Sequence, residues 1–333
     1  MKKFGSKLLH YLIKTLNGMA LGLFATLIIG VIIDQLGLLF GFQALNDLGT
    51  ILKGFMGLGI GIGVAWSLEL KGLPLIAGGV AGGIATSILN DPLVAYITTI
   101  SAIEGLRFIL RKKTPMDIIL IPLLSAIIAF AVASLIGEPI AWVANSVGLF
   151  IEHATLYQPF IMGIVIAVVM GMALTSPISS AAIAISIGLT GIAGGAAVIG
   201  GVVQMLGFAI MSRKDNNIGT VISIAIGTSM LQFKNILKKP IIWLPPIIVS
   251  AILGPFATLL FKTESTPIGS GMGTSGLIGQ IGTLDAMGYT PSVFITIALL
   301  HFALPIALMF AVDILFRKKA WIKPGDLSLS EVK

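Results

Sequence analysis

Apolar runs of about 18 residues or more recur along this chain from end to end, each long enough to cross the roughly 30 Å hydrocarbon core of a bilayer. That repetition limits the fold more than any other feature. Of 333 residues, 56% are hydrophobic and 11% are charged, with a mean hydropathy of +1.04. An ordinary globular domain carries about 25% charged residues. The pattern continues past the first run, so a signal peptide does not explain it. The chain has no cysteine, which excludes disulfides, thiolate metal sites and a cysteine nucleophile. The net charge of +7 is not a nucleic-acid signal, because the basic residues sit in short knots between apolar runs.

Those knots set an expected topology. Lys2, Lys3, Lys7 and Lys14 precede the first run. Arg107, Arg111, Lys112 and Lys113 form a second knot, Arg213 and Lys214 a third, and Lys234, Lys238 and Lys239 a fourth. Arg317, Lys318, Lys319 and Lys323 close the series. By the positive-inside rule all are cytoplasmic, as are both termini. The intervening connections carry Asp47, Asn90 and Asp91, Glu138 and Glu152, and Glu264 and Asp285, with Lys262 the one clear base among them.

The expected fold class is therefore all-α, a polytopic membrane protein with about ten transmembrane helices. They are placed roughly at 18–39, 51–69, 73–89, 93–110, 116–137, 158–176, 178–193, 195–212, 241–261 and 292–316. Residues 1–316 are expected to form one membrane-embedded domain, and 317–333 a short basic cytoplasmic tail. Two segments do not fit as crossings. Residues 218–233 are too few and lie between two basic knots. Residues 263–289 are too rich in glycine. Both are read as re-entrant hairpins, one from each face. Irregular backbone at membrane depth is tolerated where protein or a watery cavity satisfies it, and transporters place substrates at such breaks.

The two segments share a local pattern. One contains Gly227-Thr228-Ser229-Met230-Leu231-Gln232, the other Gly273-Thr274-Ser275-Gly276-Leu277 and then Gln280. Either a shared site at the bilayer midplane or a glycine- and serine-rich alphabet accounts for it. Gly57, Gly59, Gly61 and Gly63, and Gly78, Gly79, Gly82 and Gly83, read as close helix-packing faces. Gly271-Met-Gly273-Thr-Ser-Gly276 matches a dinucleotide-binding string but lacks the strand, helix and acid that the fold requires. There is no phosphate loop, and His10, His153 and His301 have no metal-ligand spacing. No cofactor and no metal are expected.

Polar residues inside or beside the runs are the candidates for a site. Asn90 and Asp91 break the chain before Pro92, as an outer turn with a capping aspartate or as part of a site. Thr175, Ser176, Pro177, Ser179 and Ser180 interrupt a long apolar stretch, as a kink or a cavity wall. Gln204 suits either a helix–helix hydrogen bond or a ligand, and so does His301. Glu264 begins the second hairpin as a solvated charge or as an acceptor for sugar hydroxyls. With Gln158, Thr228, Ser229, Thr274 and Ser275 these make the expected substrate-binding set. No catalytic residue is assigned.

Several longer motifs carry a resemblance. They are Gln158-Pro-Phe-Ile-Met-Gly, Met170-Gly-Met-Ala-Leu-Thr-Ser-Pro-Ile-Ser-Ser-Ala-Ala, Gln204-Met-Leu-Gly-Phe-Ala-Ile-Met-Ser, Gly227-Thr-Ser-Met-Leu-Gln and Gly271-Met-Gly-Thr-Ser-Gly-Leu-Ile-Gly-Gln. Over nearly its whole length the chain resembles the bacterial phosphotransferase-system enzyme IIC-like membrane proteins, including the perfringolysin O regulator type. The resemblance implies a homodimeric sugar permease of the bacterial cytoplasmic membrane, binding sugar at midplane and presenting it to a separate phosphorylated IIB protein fed by IIA. It makes Glu264 the loose counterpart of the family's hairpin carboxylate, followed by Pro267 rather than immediately by proline, and His301 a guess at the family's histidine. The chain lacks its own IIA or IIB domain, so any phosphoryl transfer needs those partners. The leading reading is a permease for a sugar or related small polar solute. The alternatives are a membrane regulator of toxin expression that keeps the permease fold, and a secondary transporter uncoupled from phosphorylation.

Overall fold

The computed structural model describes residues 2–110, 114–154 and 157–329. Arg111, Lys112 and Lys113, and the side chains of Lys2, Lys3 and Glu152, lie outside the described residues. The described chain is helical, with no strand and a single isolated bridge between Gly191 and Ser265. Among the described residues, six helices are long and apolar enough to cross a membrane, or seven if one bent pair is counted as a span. Packing divides the chain into two compact units, Met1–Val143 and Ala144–Lys333.

The first unit begins with α1 (Lys2–Leu23), which continues through a π-helical turn, Phe24–Ile28, into α2 (Ile29–Phe40). Gly41, in the left-handed region, turns the chain into α3 (Gln43–Gly54), which bends by 48° at Phe55 into α4 (Met56–Ser67). Then follow α5 (Leu73–Ile88), α6 (Pro92–Ile109) and α7 (Asp117–Ala154). The glycine patterns settle on two faces of α4. A Cβ at Gly57 or Gly61 would strike Gly82 or Gly78 of α5, and one at Gly59 or Gly63 would strike Thr26 or Gly18. The helix is thus gripped at backbone distance from both sides, as small residues permit where lipid supplies no hydrophobic drive. Gly18 opposite Gly63 and Gly22 opposite Gly59 make α1 and α4 antiparallel, and Gly57 opposite Gly82 does the same for α4 and α5.

The boundaries differ from expectation in two places here. The second pass starts earlier, at Gln43, because α3 folds back along α2 with Gly49 against Gly30. The fifth helix runs to Ala154 instead of 137, with Pro122 and Pro139 inside it. From Ala144 it belongs to the second unit.

The second unit is built on a helix that is apolar on every side. Its elements are α8 (Pro159–Thr175), α9 (Ser180–Ser186), α10 (Gly191–Ser212), α11 (Ile218–Ile222), α12 (Phe233–Lys238) and α13 (Leu244–Pro255), then α14 (Pro267–Ser270), α15 (Ile278–Met287), α16 (Pro291–Thr296) and α17 (Leu304–Lys318). An all-round apolar helix belongs in a core, and the most apolar stretch of α10 is entirely buried. A Cβ at Gly200 would fall on the Ala167 carbonyl of α8, and one at Gly195 on the Thr263 carbonyl. Gly163 meets Gly254, so α13 runs antiparallel to α8, whereas Ala167 beside Gly200 and Thr175 beside Gln204 set α8 parallel to α10.

The expected crossing at 178–193 is not one helix. It is the seven-residue α9 followed by a break in which Gly188 and Gly191 take positive φ. Seven residues rise about 10 Å, well short of a bilayer. Further π-helical turns occur at Ser223–Gly227, Phe256–Leu260 and Ile297–Ala303.

Candidate functional site

The polar centre of the second unit forms where α8 stops. Thr175, the last residue of α8, lies opposite Gln204, eight positions before the end of α10 at Ser212, or about 12 Å along the axis. The break after Thr175 therefore lies beside the interior of α10. Ser176 and Pro177 carry the chain away, and the Ser180 hydroxyl donates to the Gly271 carbonyl at 2.6 Å.

Three of the expected residues meet directly. The Thr175 hydroxyl donates to Gln204 Oε1 at 3.0 Å and shares a 2.8 Å hydrogen bond with the Ser229 hydroxyl. All three side chains are fully buried. Trp243 Nε1 also donates to Gln204 Oε1, at 3.0 Å. Two donors on one carbonyl fix the amide plane, and Gln204 Nε2 then points elsewhere without a partner. A buried donor left unpaired costs about 1–3 kcal/mol, so its retention in the core calls for a ligand acceptor or water.

The segments that carry the two Gly-Thr-Ser strings meet beside this cluster. Between α11 and α12 the chain makes the π turn Ser223–Gly227, an extended residue at Thr228 and a 3₁₀ turn, Ser229–Gln232. The Thr228 hydroxyl caps that turn by accepting from Met230 N. In the other segment Gly273 sits against Gly201, with a 3₁₀ turn at Ser275–Leu277. The Thr274 hydroxyl donates to the Ala225 carbonyl and also reaches Met205 Sδ at 3.4 Å. Thr274 is thus level with the residue next to Gln204. Ser275 is buried with an unpaired hydroxyl.

His301 lies on the π turn Ile297–Ala303 and is fully buried. Its Nδ1 is 3.4 Å from Gln280 Nε2, and its Nε2 has no partner. Glu264 stands apart from the Gln204 cluster. It follows Thr263, which packs on Gly195, nine positions and about 14 Å along α10 from Gln204. Glu264 is half-buried, and its backbone N–H contacts Met287 Sδ at 3.3 Å. Ser179 is half-buried in the break, and Gln158 is exposed as the residue before α8. Asn90 and Asp91 belong to the first unit. There Asp91 caps α6, accepting from Leu93 N at 2.8 Å and Val94 N at 3.0 Å, and Asn90 lines a cleft of about 1060 Å³ with Lys53, Phe55 and Phe130.

Sequence reasoning missed Trp243 and Asp313. A tryptophan just after Lys239-Pro240 reads as an interfacial anchor, and nothing in its spacing points to Gln204. Asp313 did carry a signal, as an acid in an apolar run with Arg317 four positions on. It is completely buried between Arg213 and Arg317. Elsewhere, on α12, burial, with the Lys238 charge second, draws the Lys234 ammonium down to about 8.

Compared with known families, residues 13–329 match the family model described as phosphotransferase system, EIIC. No curated protein matches this chain. No solved structure matches it either.

Proposed function

This chain belongs to the phosphotransferase system EIIC family and is a multi-pass membrane permease component of that system, and on that premise we propose that its solute is a sugar or a closely related polyol. The observation that carries this reading is the Gln204 amide, its oxygen held by Thr175 and Trp243 and its nitrogen unpaired in a hydroxyl-rich core. A sugar oxygen supplies the missing acceptor, and the Ser229, Thr274 and Ser275 hydroxyls can donate or accept as a sugar hydroxyl requires.

In this reading the segments at 218–233 and 263–289 are re-entrant hairpins whose tips, Thr228-Ser229 and Thr274-Ser275, line the solute site with Thr175 and Gln204. Residues 1–316 serve as one membrane domain, in a homodimer, with both termini in the cytoplasm of a bacterium. Separate IIA and IIB proteins supply the phosphoryl group. His301 and Gln280 lie deeper along the same path. Glu264, Gln158 and Ser179 belong to the approach, and Asn90 and Asp91 to the outer face.

A thermal-shift screen of purified protein over monosaccharides, disaccharides and polyols tests the proposal. At least one sugar should raise the melting temperature of the wild-type protein. Gln204→Leu should weaken that binding by about 1–3 kcal/mol, roughly tenfold or more in Kd. If no sugar or polyol shifts the protein and none is taken up by cells expressing it, the sugar reading fails and a regulatory role for the fold gains.

A further inference from the structure

Residues 320–329 pack onto the rest of the second unit. Ile322 and Leu327 are 1% and 0% exposed, in one apolar core with Ile224, Ile236 and Phe316. The backbone around Leu327 is gripped from several sides. The Asp215 carboxylate accepts from Gly325 N at 3.0 Å and Leu327 N at 3.1 Å. Asn216 donates to the Leu327 carbonyl at 2.9 Å and accepts from Leu329 N at 2.8 Å. Gln232 Nε2 donates to that same carbonyl at 2.9 Å, and Asn235 Nδ2 to the Ser328 carbonyl at 3.0 Å. Lys239 pairs with Asp326 at 2.5 Å.

Gln232, Asn235 and Lys239 lie on or beside the short limb Ser229–Lys238, and the first residue of that limb is the Ser229 bonded to Thr175. A 3₁₀ turn and a six-residue helix cannot hold their shape alone, since helices much shorter than about 12 residues are marginal without tertiary contacts. We propose that residues 320–329 are a strap that holds this limb shut, and that release of the strap frees the limb and opens the polar centre around Gln204 from the side of the chain's end. With the strap gone, Gln232 and Asn235 lose acceptors in a buried setting and Leu327 vacates its place beside the limb. The Ser229–Thr175 bond and the edge-on contact of Phe233 with Trp243 are then what opening has to break. The inference rests on the proposed function only in treating that centre as the solute site.

The chain lacks cysteine, so single cysteines report cleanly. Met230→Cys (4% exposed, on the limb) and Ser250→Cys (0% exposed, on α13) are each labelled with a maleimide in membrane vesicles, with and without Leu327→Asp. The strap predicts that Leu327→Asp speeds labelling of Met230→Cys at least tenfold and leaves Ser250→Cys unchanged. Equal acceleration at both sites would make the tail an ordinary part of the core and overturn the proposal, as would no change at Met230→Cys. Should Leu327→Asp fail to accumulate, Leu327→Ala and Lys239→Gln are judged by the same two sites, with smaller accelerations expected. No solute enters this assay, so its failure is separate from failure of the sugar screen.

Discussion

Arg213 and Asp313 meet across a hundred positions of sequence, with Nη1 2.6 Å from Oδ2. The Asp313 carboxylate is wholly buried, and its other oxygen accepts from Arg317 Nε at 2.9 Å. Arg317 also donates to the Met211 carbonyl at 2.6 Å, and the Arg213 guanidinium lies 4.5 Å from the Phe310 ring centre. One carboxylate thus ties the end of α10 to α17. Removing it leaves two guanidinium groups partly buried and uncompensated. Breaking such a pair costs about 3–5 kcal/mol. Asp313→Ala should therefore lower the melting temperature sharply, as scanned by fluorescence in mild detergent, and Arg213→Lys much less.

The glycines offer a paired test of packing. A Cβ at Gly200 meets the backbone of Ala167, which cannot swing aside. Gly200→Ala should destabilise the protein by about 1–3 kcal/mol, as overpacked cores do. Gly83, inside α5, has open space where its Cβ would stand. Gly83→Ala should be neutral or stabilising by up to about 1 kcal/mol, the helix preference of alanine over glycine. Melting curves of the two variants side by side decide the point. Equal effects would mean that backbone proximity at Gly200 does not govern stability.

Sidedness can be read with impermeant thiol reagents. Lys238 and Glu138 are both exposed. Lys238→Cys should react only from the cytoplasmic face and Glu138→Cys only from outside. Reaction of Lys238→Cys from outside would make residues 218–233 a full crossing instead of a hairpin.

Docking of the tail should depend on acid in one direction. Burial would raise the Asp326 carboxyl, but hydrogen bonds from Lys239 and from the Lys323 backbone N–H, with both lysine charges, bring it below its usual value. Asp215, which also holds the tail, is the nearby acid on the neighbouring segment. A depressed carboxylate contributes stability above its unfolded pKa of about 3.9, and that contribution is lost as pH falls through the lower folded value. Hydrogen exchange at Gly325, Leu327 and Leu329, corrected for intrinsic rates, should show constant protection from pH 7 to about 5 and weaker protection below about 4. Loss of protection between pH 7 and 5 would assign the tail's hold to another group.

Hydropathy made the membrane class and most helices legible, because a long apolar run has few alternatives in lipid. The glycine spacing of α4 pointed to close packing, whereas the repeated Gly-Thr-Ser strings left open whether their segments meet, as they do through Thr274 and Ala225. What stayed hidden was long-range pairing. Periodicity says which face of a helix is buried and nothing of what it meets, so Trp243 on Gln204 and Leu327 against Gln232 could not be read. Glu264 illustrates the converse. Ten positions separate it from Thr274, but those positions descend along α10, so nearness in sequence does not place the carboxylate beside the tip. The crossing expected at 178–193 failed because average hydropathy cannot register a left-handed glycine such as Gly188.

The π-helical turn at Ile297–Ala303 sets the rotational phase of everything after it. Such a turn holds one residue more than the α turn it replaces, and one residue of α-helix is worth about 100° of azimuth and 1.5 Å of advance. Asp313 lies beyond that surplus residue and within the same continuous helix. Winding the same residues as regular α-helix would swing the Asp313 carboxylate about a quarter-turn off Arg213. The histidine-bearing turn and the ionic lock some ten residues below it are therefore geared together.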